Sequence, residues 1–141
     1  MTFVYIVLFS ILQFHITDIE GEWKLKDYSG FLIMLENDVF KNLPEDRKLE
    51  VLKGWEFVRN NTFYSFKGDS VNFTNPSPNY SITEKKGRFL MKSDTLIIFE
   101  SGKVNAIKFF ITSLKEDELK LTFVRDGGEI GPTEMTFERV K

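Results

Sequence analysis

The sequence predicts an all-β fold, an antiparallel up-and-down β-barrel of eight to ten strands with one short helix between the first and second strands. Most of the chain after residue 54 consists of short runs with period-two alternation, separated by turn signals. No crossover helices separate these runs, which excludes parallel β-α-β units. A closed barrel also removes the unpaired edges of an open sheet. A two-sheet sandwich is the main competing arrangement.

The composition fits one folded domain. The 141 residues are 42% hydrophobic and include 15 phenylalanines, enough for one core. Nineteen basic and 21 acidic residues give a net charge of -2, so we expect no nucleic acid partner. The chain has no cysteine, which excludes thiolate chemistry, and its single histidine is His15. We therefore expect a protein that is not an enzyme and that carries no cofactor and no metal.

Residues 1–17 form an apolar leader. The run Phe3–Ile16 is interrupted by only three polar residues and is too short to span a bilayer as a helix. It favours a signal peptide, and therefore a secreted, periplasmic or cell-surface protein, although no basic residue precedes it and its end lacks small residues. The alternatives are an apolar first element packed on a cytoplasmic domain, or a retained membrane anchor. We predict that residues 18–141 form the barrel domain.

The first strand is predicted from Gly21 to about Tyr28. The apolar run Phe31–Leu35 is predicted to continue it after a break at Ser29-Gly30.

A helix is predicted near residues 44–53. Pro44 suits a first helical turn, and acidic residues follow it at the positive end of the helix dipole. Gly54 can end the helix. The segment Leu43–Lys53 has one apolar side, so it could be a mobile lid over the barrel mouth or a permanent cap.

The remaining strands follow from turn signals such as Lys67-Gly68-Asp69 and Asp126-Gly127-Gly128. A small basic turn is predicted at Lys85-Lys86-Gly87-Arg88. Strands are expected near residues 55–59, 62–66, 70–74, 79–83, 88–92, 95–100, 103–112, 118–125 and 133–140.

Several segments resemble the small lipocalin-like domains of secreted bacterial proteins. They are Gly21-Glu22-Trp23, Asn61–Phe66, Thr95–Phe99, Ile107–Ile111, Asp117–Leu121 and Phe137–Arg139. In that family a tryptophan plugs one end of the barrel and a basic residue of the last strand packs over it. The resemblance implies that Trp23 and Arg139 close the barrel through a cation-π contact. The position of the helix also resembles fatty-acid-binding proteins, and both resemblances imply a cavity for an apolar ligand.

Aromatic residues are the candidates for lining that cavity. The predicted ligand-binding residues are Phe57, Tyr64, Phe66, Tyr80, Phe99, Phe109 and Phe123. Alternation places Lys108 outward and Phe109 inward, and it places Leu119, Leu121 and Phe123 inward as well. The hydroxyl of Tyr64 or Tyr80 would orient the ligand. Alternatively, the aromatics fill the barrel, because eight strands are just wide enough for side chains to close it.

The expected function is non-enzymatic binding or sequestration of a small hydrophobic or amphipathic molecule, such as a lipid, inside the barrel. The alternative is a filled barrel that serves as an interaction or accessory module. Such a module would recognise a protein partner of unknown identity through its loops or its Trp55-bearing edge. The sequence does not identify a ligand.

Overall fold

The computed structural model describes residues 15–141 and shows a closed antiparallel barrel of eight strands. Each strand pairs with the next one in sequence, and the last strand pairs with the first. The strands are β1 (Gly21–Tyr28), β2 (Phe63–Lys67), β3 (Ser70–Pro76), β4 (Ile82–Lys92), β5 (Thr95–Glu100), β6 (Ile107–Leu114), β7 (Glu118–Val124) and β8 (Ile130–Arg139). The predicted up-and-down barrel is confirmed, and the competing sandwich is wrong.

Four helical segments accompany the strands. They are α1 (Ile16–Ile19), a single turn before β1, and α2 (Ser29–Leu35), α3 (Asp38–Lys41) and α4 (Glu45–Asn61), which connect β1 to β2. The predicted leader lies outside the described residues up to residue 14, and its last two residues belong to α1. The boundary predicted at residue 18 stays a prediction.

The helical connection is longer than predicted. The strand expected at Phe31–Leu35 is wrong, because these residues belong to α2. The strand expected at 55–59 is also wrong, because α4 continues to Asn61. Short apolar runs of this kind do not distinguish strand from helix by periodicity alone. The aromatic rings of Phe31 and Trp55 stack with centroids 4.5 Å apart, so tertiary packing between the two helices supports the helical form.

Gly54 lies inside α4 and does not end it. A Cβ atom at this position would lie 3.0 Å from the carbonyl oxygen of Pro78, so the glycine allows the helix to pack closely on the β3–β4 connection. The helix ends where two side chains satisfy its last carbonyl groups. Asn61 donates a hydrogen bond to the carbonyl oxygen of Phe57, and Thr62 donates one to that of Val58.

The alternation of burial along the strands defines an inner and an outer face. The hydrophobic core is buried on the inner face and includes residues from all eight strands and from α1. Its members are Ile19, Trp23, Leu25, Phe66, Val71, Phe73, Phe89, Leu96, Ile98, Phe109, Ile111, Leu119, Leu121 and Phe137. The inward orientation predicted for Phe109, Leu119 and Leu121 is therefore confirmed.

The basic turn predicted at residues 85–88 is wrong. Residues 82–92 form one continuous strand, β4, which replaces the two strands expected at 79–83 and 88–92. Gly87 is required there by sheet packing, because a Cβ atom on it would clash with the carbonyl oxygen of Phe99 in β5. Glycine beside charged residues indicates a turn in the sequence, whereas here it allows two strands to approach closely.

The two ends of the barrel differ. At one end α1 and the start of β1 lie beside the β2–β3, β4–β5 and β6–β7 turns, and we call this the closed end. At the other end lie α2 to α4 and the connections at 77–81, 101–106 and 125–129, and we call this the open end. This arrangement follows from antiparallel pairing, which returns the chain to the same end after every second strand.

Candidate functional site in the open half of the barrel

The closed end is built around Trp23. Its side chain is fully buried, and its indole nitrogen donates a 2.8 Å hydrogen bond to the carbonyl oxygen of Ile19. The guanidinium carbon of Arg139 lies 4.2 Å from the centre of the Trp23 ring. The structure thus brings together the two residues predicted to close the barrel.

Arg139 also joins three backbone segments. Its guanidinium donates hydrogen bonds to the carbonyl oxygens of Asp18 at 2.9 Å, Glu20 at 2.5 Å and Glu116 at 2.5 Å. Gly21 makes room for this arrangement, because it has φ +121° and a Cβ atom there would lie 2.6 Å from Nη1 of Arg139. The glycine and the tryptophan of the Gly-Glu-Trp segment therefore serve the same closure.

Three of the seven predicted ligand-binding residues lie on the inner face of the barrel wall. Phe66 and Phe109 are buried in the core, and Tyr64 packs against it. Phe123 is the cross-strand partner of Phe109, and the two rings lie 6.0 Å apart. Its side chain is nevertheless 47% exposed, so Phe123 lies at the rim of the open end rather than inside the barrel.

Two other predicted residues lie outside the barrel wall. Phe57 belongs to α4, and its ring packs edge-on against that of Tyr80 with centroids 5.1 Å apart. Tyr80 is on the 77–81 connection, has φ +67° and is 59% exposed. Both residues therefore border the open end. The prediction that Tyr80 lies in the cavity wall is corrected, because Tyr80 lies on the exposed 77–81 connection.

Phe99 is on the outer face, which corrects its predicted position inside the cavity. Its neighbours Leu96 and Ile98 in β5 are fully buried, so the alternation turns Phe99 outward, where it is 49% exposed. Its cross-strand partner is Arg88, another exposed residue. A high density of aromatic residues in the sequence does not show which face of a strand each one occupies.

An ion pair lies on the inner face toward the open end, and it was not predicted. The Nζ atom of Lys85 is 2.7 Å from Oε1 of Glu100, and the two side chains are only 23% and 13% exposed. Lys85 pairs across the sheet with buried Phe73, and Glu100 pairs with Gly87, so both side chains share the inner face. The alternation along β4 places Lys85 inward, and a strand interpretation of residues 85–88 in place of a turn would have predicted this.

Tyr64 lies on the same inner face as this ion pair, in one cross-strand row with Lys85 and with Phe73 of β3 between them. Its ring stacks on that of Phe73 at 5.2 Å and meets the edge of Phe137 at 5.5 Å. Burial, together with the smaller effect of the negative charge of Glu100, raises the pKa of Tyr64 to about 12. The phenol therefore stays protonated at physiological pH. The three side chains, which we call the inner polar cluster, combine donors from Lys85 and Tyr64 with an acceptor from Glu100.

The pKa of Tyr64 can be tested by ultraviolet titration. We expect the difference between wild type and Tyr64→Phe to show one phenol that ionises near pH 12. Glu100→Gln should lower this pKa, but the value should stay above that of a free tyrosine because burial, the larger cause, remains. Folding stability should fall as the pH rises from about 10 to 12, since the unfolded tyrosine releases its proton first. A difference titration centred near pH 10 would contradict this assignment.

The described part of the chain also has surface depressions, and one of them borders the inner polar cluster at Lys85. One of about 440 Å³ lies along β1 to β4, and its wall includes the outer-face residues Glu22, Ser65, Asn72 and Lys86 together with Phe73 and Lys85. None of the seven predicted ligand-binding residues lines it. Another of about 370 Å³ lies between the 101–106 and 125–129 connections and includes Phe123 at the rim of the open end.

Within residues 15–141, no helix is both long and apolar enough to cross a membrane. The same residues contain no group of three or more histidine, aspartate or glutamate side chains placed to hold a metal ion.

Comparison with known proteins agrees with this architecture. Residues 19–121 match the family model of the lipocalin-like domain. The chain belongs to this lipocalin-like family. No curated protein matches it.

Two solved structures are similar to this lipocalin-like chain. One is a lipocalin-like protein from Bacteroides uniformis, with a TM-score of 0.50 and 16% identity over 87% of this chain and 99% of that one. The other is an uncharacterized protein from Bacteroides eggerthii, with a TM-score of 0.50 and 14% identity over 86% of this chain and 98% of that one. At these identities the likeness concerns the fold alone. The fold is of a type that generally binds ligands.

Proposed function

We propose that this lipocalin-like protein binds a small amphipathic molecule in the open half of its barrel, without catalysis. The observation that carries the proposal is the inner polar cluster of Tyr64, Lys85 and Glu100. Ligand sites are typically apolar concavities in which a few polar groups set the orientation of the ligand. The cluster supplies such groups, and the aromatic rings around it supply apolar surface.

The energetic cost of the cluster supports a functional role. Taking two charges out of water is expensive, and a buried ion pair is often no more stable than well-packed hydrophobic residues of similar volume. The surrounding residues Phe73 and Phe89 show that the barrel builds an apolar interior elsewhere on the same strands. Polar groups kept in such surroundings are commonly found at functional sites.

The geometry of the open end supports entry from that side. Phe123, Phe57 and Tyr80 border the opening and are three of the predicted ligand-binding residues. A ligand that enters there would place its apolar part along Phe109 and Phe123 and its polar group at the cluster. The lid role suggested for Leu43–Lys53 stays a prediction.

Binding can be tested with Nile red, a neutral apolar dye whose fluorescence rises in apolar surroundings. We expect saturable binding of one dye per barrel that is weakened about tenfold by Tyr64→Phe, because one hydrogen bond to the dye carbonyl is lost. The matched control is Tyr80→Phe, which removes the same hydroxyl from an exposed connection and should change the affinity by less than about twofold.

Native mass spectrometry of the purified protein would show in addition whether a cellular molecule is already bound. Absence of dye binding, or equal affinities for wild type and Tyr64→Phe, would contradict the proposed site.

Recognition of another protein is a second candidate, and one observation favours it. The helical connection exposes large apolar side chains, with Leu32 53%, Ile33 58% and Val39 75% exposed. Trp55 is not part of a free strand edge as predicted, since it belongs to α4 and packs on Phe31. An empty barrel that does not bind dye would favour this candidate.

A further inference from the structure

We propose that the inner polar cluster selects ligands with a neutral polar head group, such as an alcohol or a primary amide, over ligands with a carboxylate. This inference rests on the proposed function and adds the chemical class of the ligand. It follows from the charge balance of the cluster and from its set of hydrogen-bond donors and acceptors.

The first argument is charge. The positive charge of Lys85 is already matched by Glu100 at 2.7 Å, so the cluster offers no uncompensated cation to an incoming anion. A carboxylate placed beside Lys85 would also lie close to the carboxylate of Glu100. Like charges repel strongly where water is largely excluded, and both side chains are mostly buried.

The electrostatic effect of Glu100 at the Tyr64 hydroxyl also disfavours a negative charge. Burial is the larger cause of the raised pKa of the Tyr64 phenol, and the negative charge of Glu100 is the second. A negative group bound at that hydroxyl would experience the same unfavourable field. A neutral group would not.

The second argument is hydrogen bonding. The ammonium of Lys85 can only donate to a ligand and ionised Glu100 can only accept, whereas the Tyr64 phenol donates and can also accept. An alcohol or a primary amide both donates and accepts, so it can bond to the two kinds of partner together. A carboxylate only accepts and would leave the acceptor capacity of Glu100 unused.

The third argument is access. The side chains of Lys85 and Glu100 are 23% and 13% exposed, and both lie on the inner face toward the open end. A head group that enters from that end would meet these atoms before the core around Phe89, which lies further along β4 toward the closed end. The apolar tail then remains near the aromatic rim at Phe123.

The test compares 1-decanol with decanoate, two probes with the same chain length, as competitors of Nile red at about pH 8, where the acid is ionised. We expect the full chain to bind decanol at least about tenfold more tightly than decanoate, a difference of about 1.4 kcal/mol. Glu100→Gln should reverse the order, because the charge of Lys85 then becomes available to the carboxylate.

Glu100→Gln leaves a buried cation without its partner and could fail to fold, so a second variant is needed. Lys85→Met combined with Glu100→Gln removes both charges and should give no more than about a twofold preference for either probe. Circular dichroism of each variant checks that the barrel is intact.

The outcomes separate this inference from the proposed function. If neither probe displaces the dye and the dye itself does not bind, the proposed function fails. If both probes bind and decanoate binds more tightly, the binding function stands and the neutral-ligand inference is overturned. An unchanged preference for decanol in the double variant would also overturn it, because the preference would then have no electrostatic origin in this cluster.

Discussion

Replacing Trp23 by alanine is expected to lower the free energy of unfolding by about 3–5 kcal/mol, the usual cost of removing a large buried aromatic side chain. Trp23 is fully buried at the closed end, where its ring supports Arg139 and its indole nitrogen bonds to Ile19. The change therefore leaves a cavity, an unpaired carbonyl group and an unsupported guanidinium. Urea unfolding followed by far-ultraviolet circular dichroism measures the effect without relying on tryptophan fluorescence.

The chain contains a matched control in its other tryptophan. Trp55 is only partly buried, on α4, where it packs on Phe31 and Tyr28. Trp55→Ala should therefore cost clearly less than Trp23→Ala, because less of the side chain leaves water on folding. Equal effects of the two changes would mean that the closed end does not depend on Trp23.

Replacing Arg139 by alanine is expected to cost about 2–3 kcal/mol of unfolding free energy. The side chain makes three charge-assisted hydrogen bonds to the carbonyl oxygens of Asp18, Glu20 and Glu116, in addition to the contact with Trp23. These bonds are partly exposed, so water replaces some of them and the losses do not add fully. The same urea experiment measures the effect.

Arg139→Lys separates charge from geometry. Lysine keeps the positive charge over Trp23 but lacks the planar fork that reaches three carbonyl groups, so about half of the loss should remain. Full stability in Arg139→Lys would show that charge alone is sufficient. If Arg139→Ala were as stable as wild type, the bonds between β8, α1 and the β6–β7 turn would contribute nothing to closure.

The overall architecture could be predicted from the sequence because its signals are local. Turn residues and period-two alternation specify hairpins, and sequential hairpins without crossover helices specify an up-and-down sheet. The position of the helical connection followed from Pro44 and the acidic residues after it. Gly21 and Trp23 are close in sequence, so their segment is recognisable from the sequence, and the structure places the predicted partner Arg139 over the Trp23 ring.

Errors arose where the local signal is ambiguous. Phe31–Leu35 and residues 55–59 are short apolar stretches that fit a strand or a helix equally well, and their packing through Phe31 and Trp55 selects the helix. The segment around Gly87 has the composition of a turn. In the structure, Gly87 instead allows β4 to approach β5 closely. Each of these choices depends on residues distant in sequence.

The candidate site shows the same division. Density of aromatic residues correctly indicated an aromatic interior, with Tyr64, Phe66 and Phe109 on its inner face. The same criterion wrongly selected Phe99 as a residue of the interior, because composition carries no information about which face of a strand a residue occupies. Lys85 and Glu100 were missed, since charged residues are expected outside and only the strand register shows that they point inward.

The amino-acid sequence by itself determined the fold class, the order of the strands and the residues available to close the barrel, because hairpins and turns depend on neighbours in the chain. The tertiary structure alone decided which side chains meet inside. Lys85 and Glu100 are 15 residues apart in sequence and 2.7 Å apart in space. Their meeting depends on the register of two strands and on a glycine that lets them approach, which no local pattern encodes.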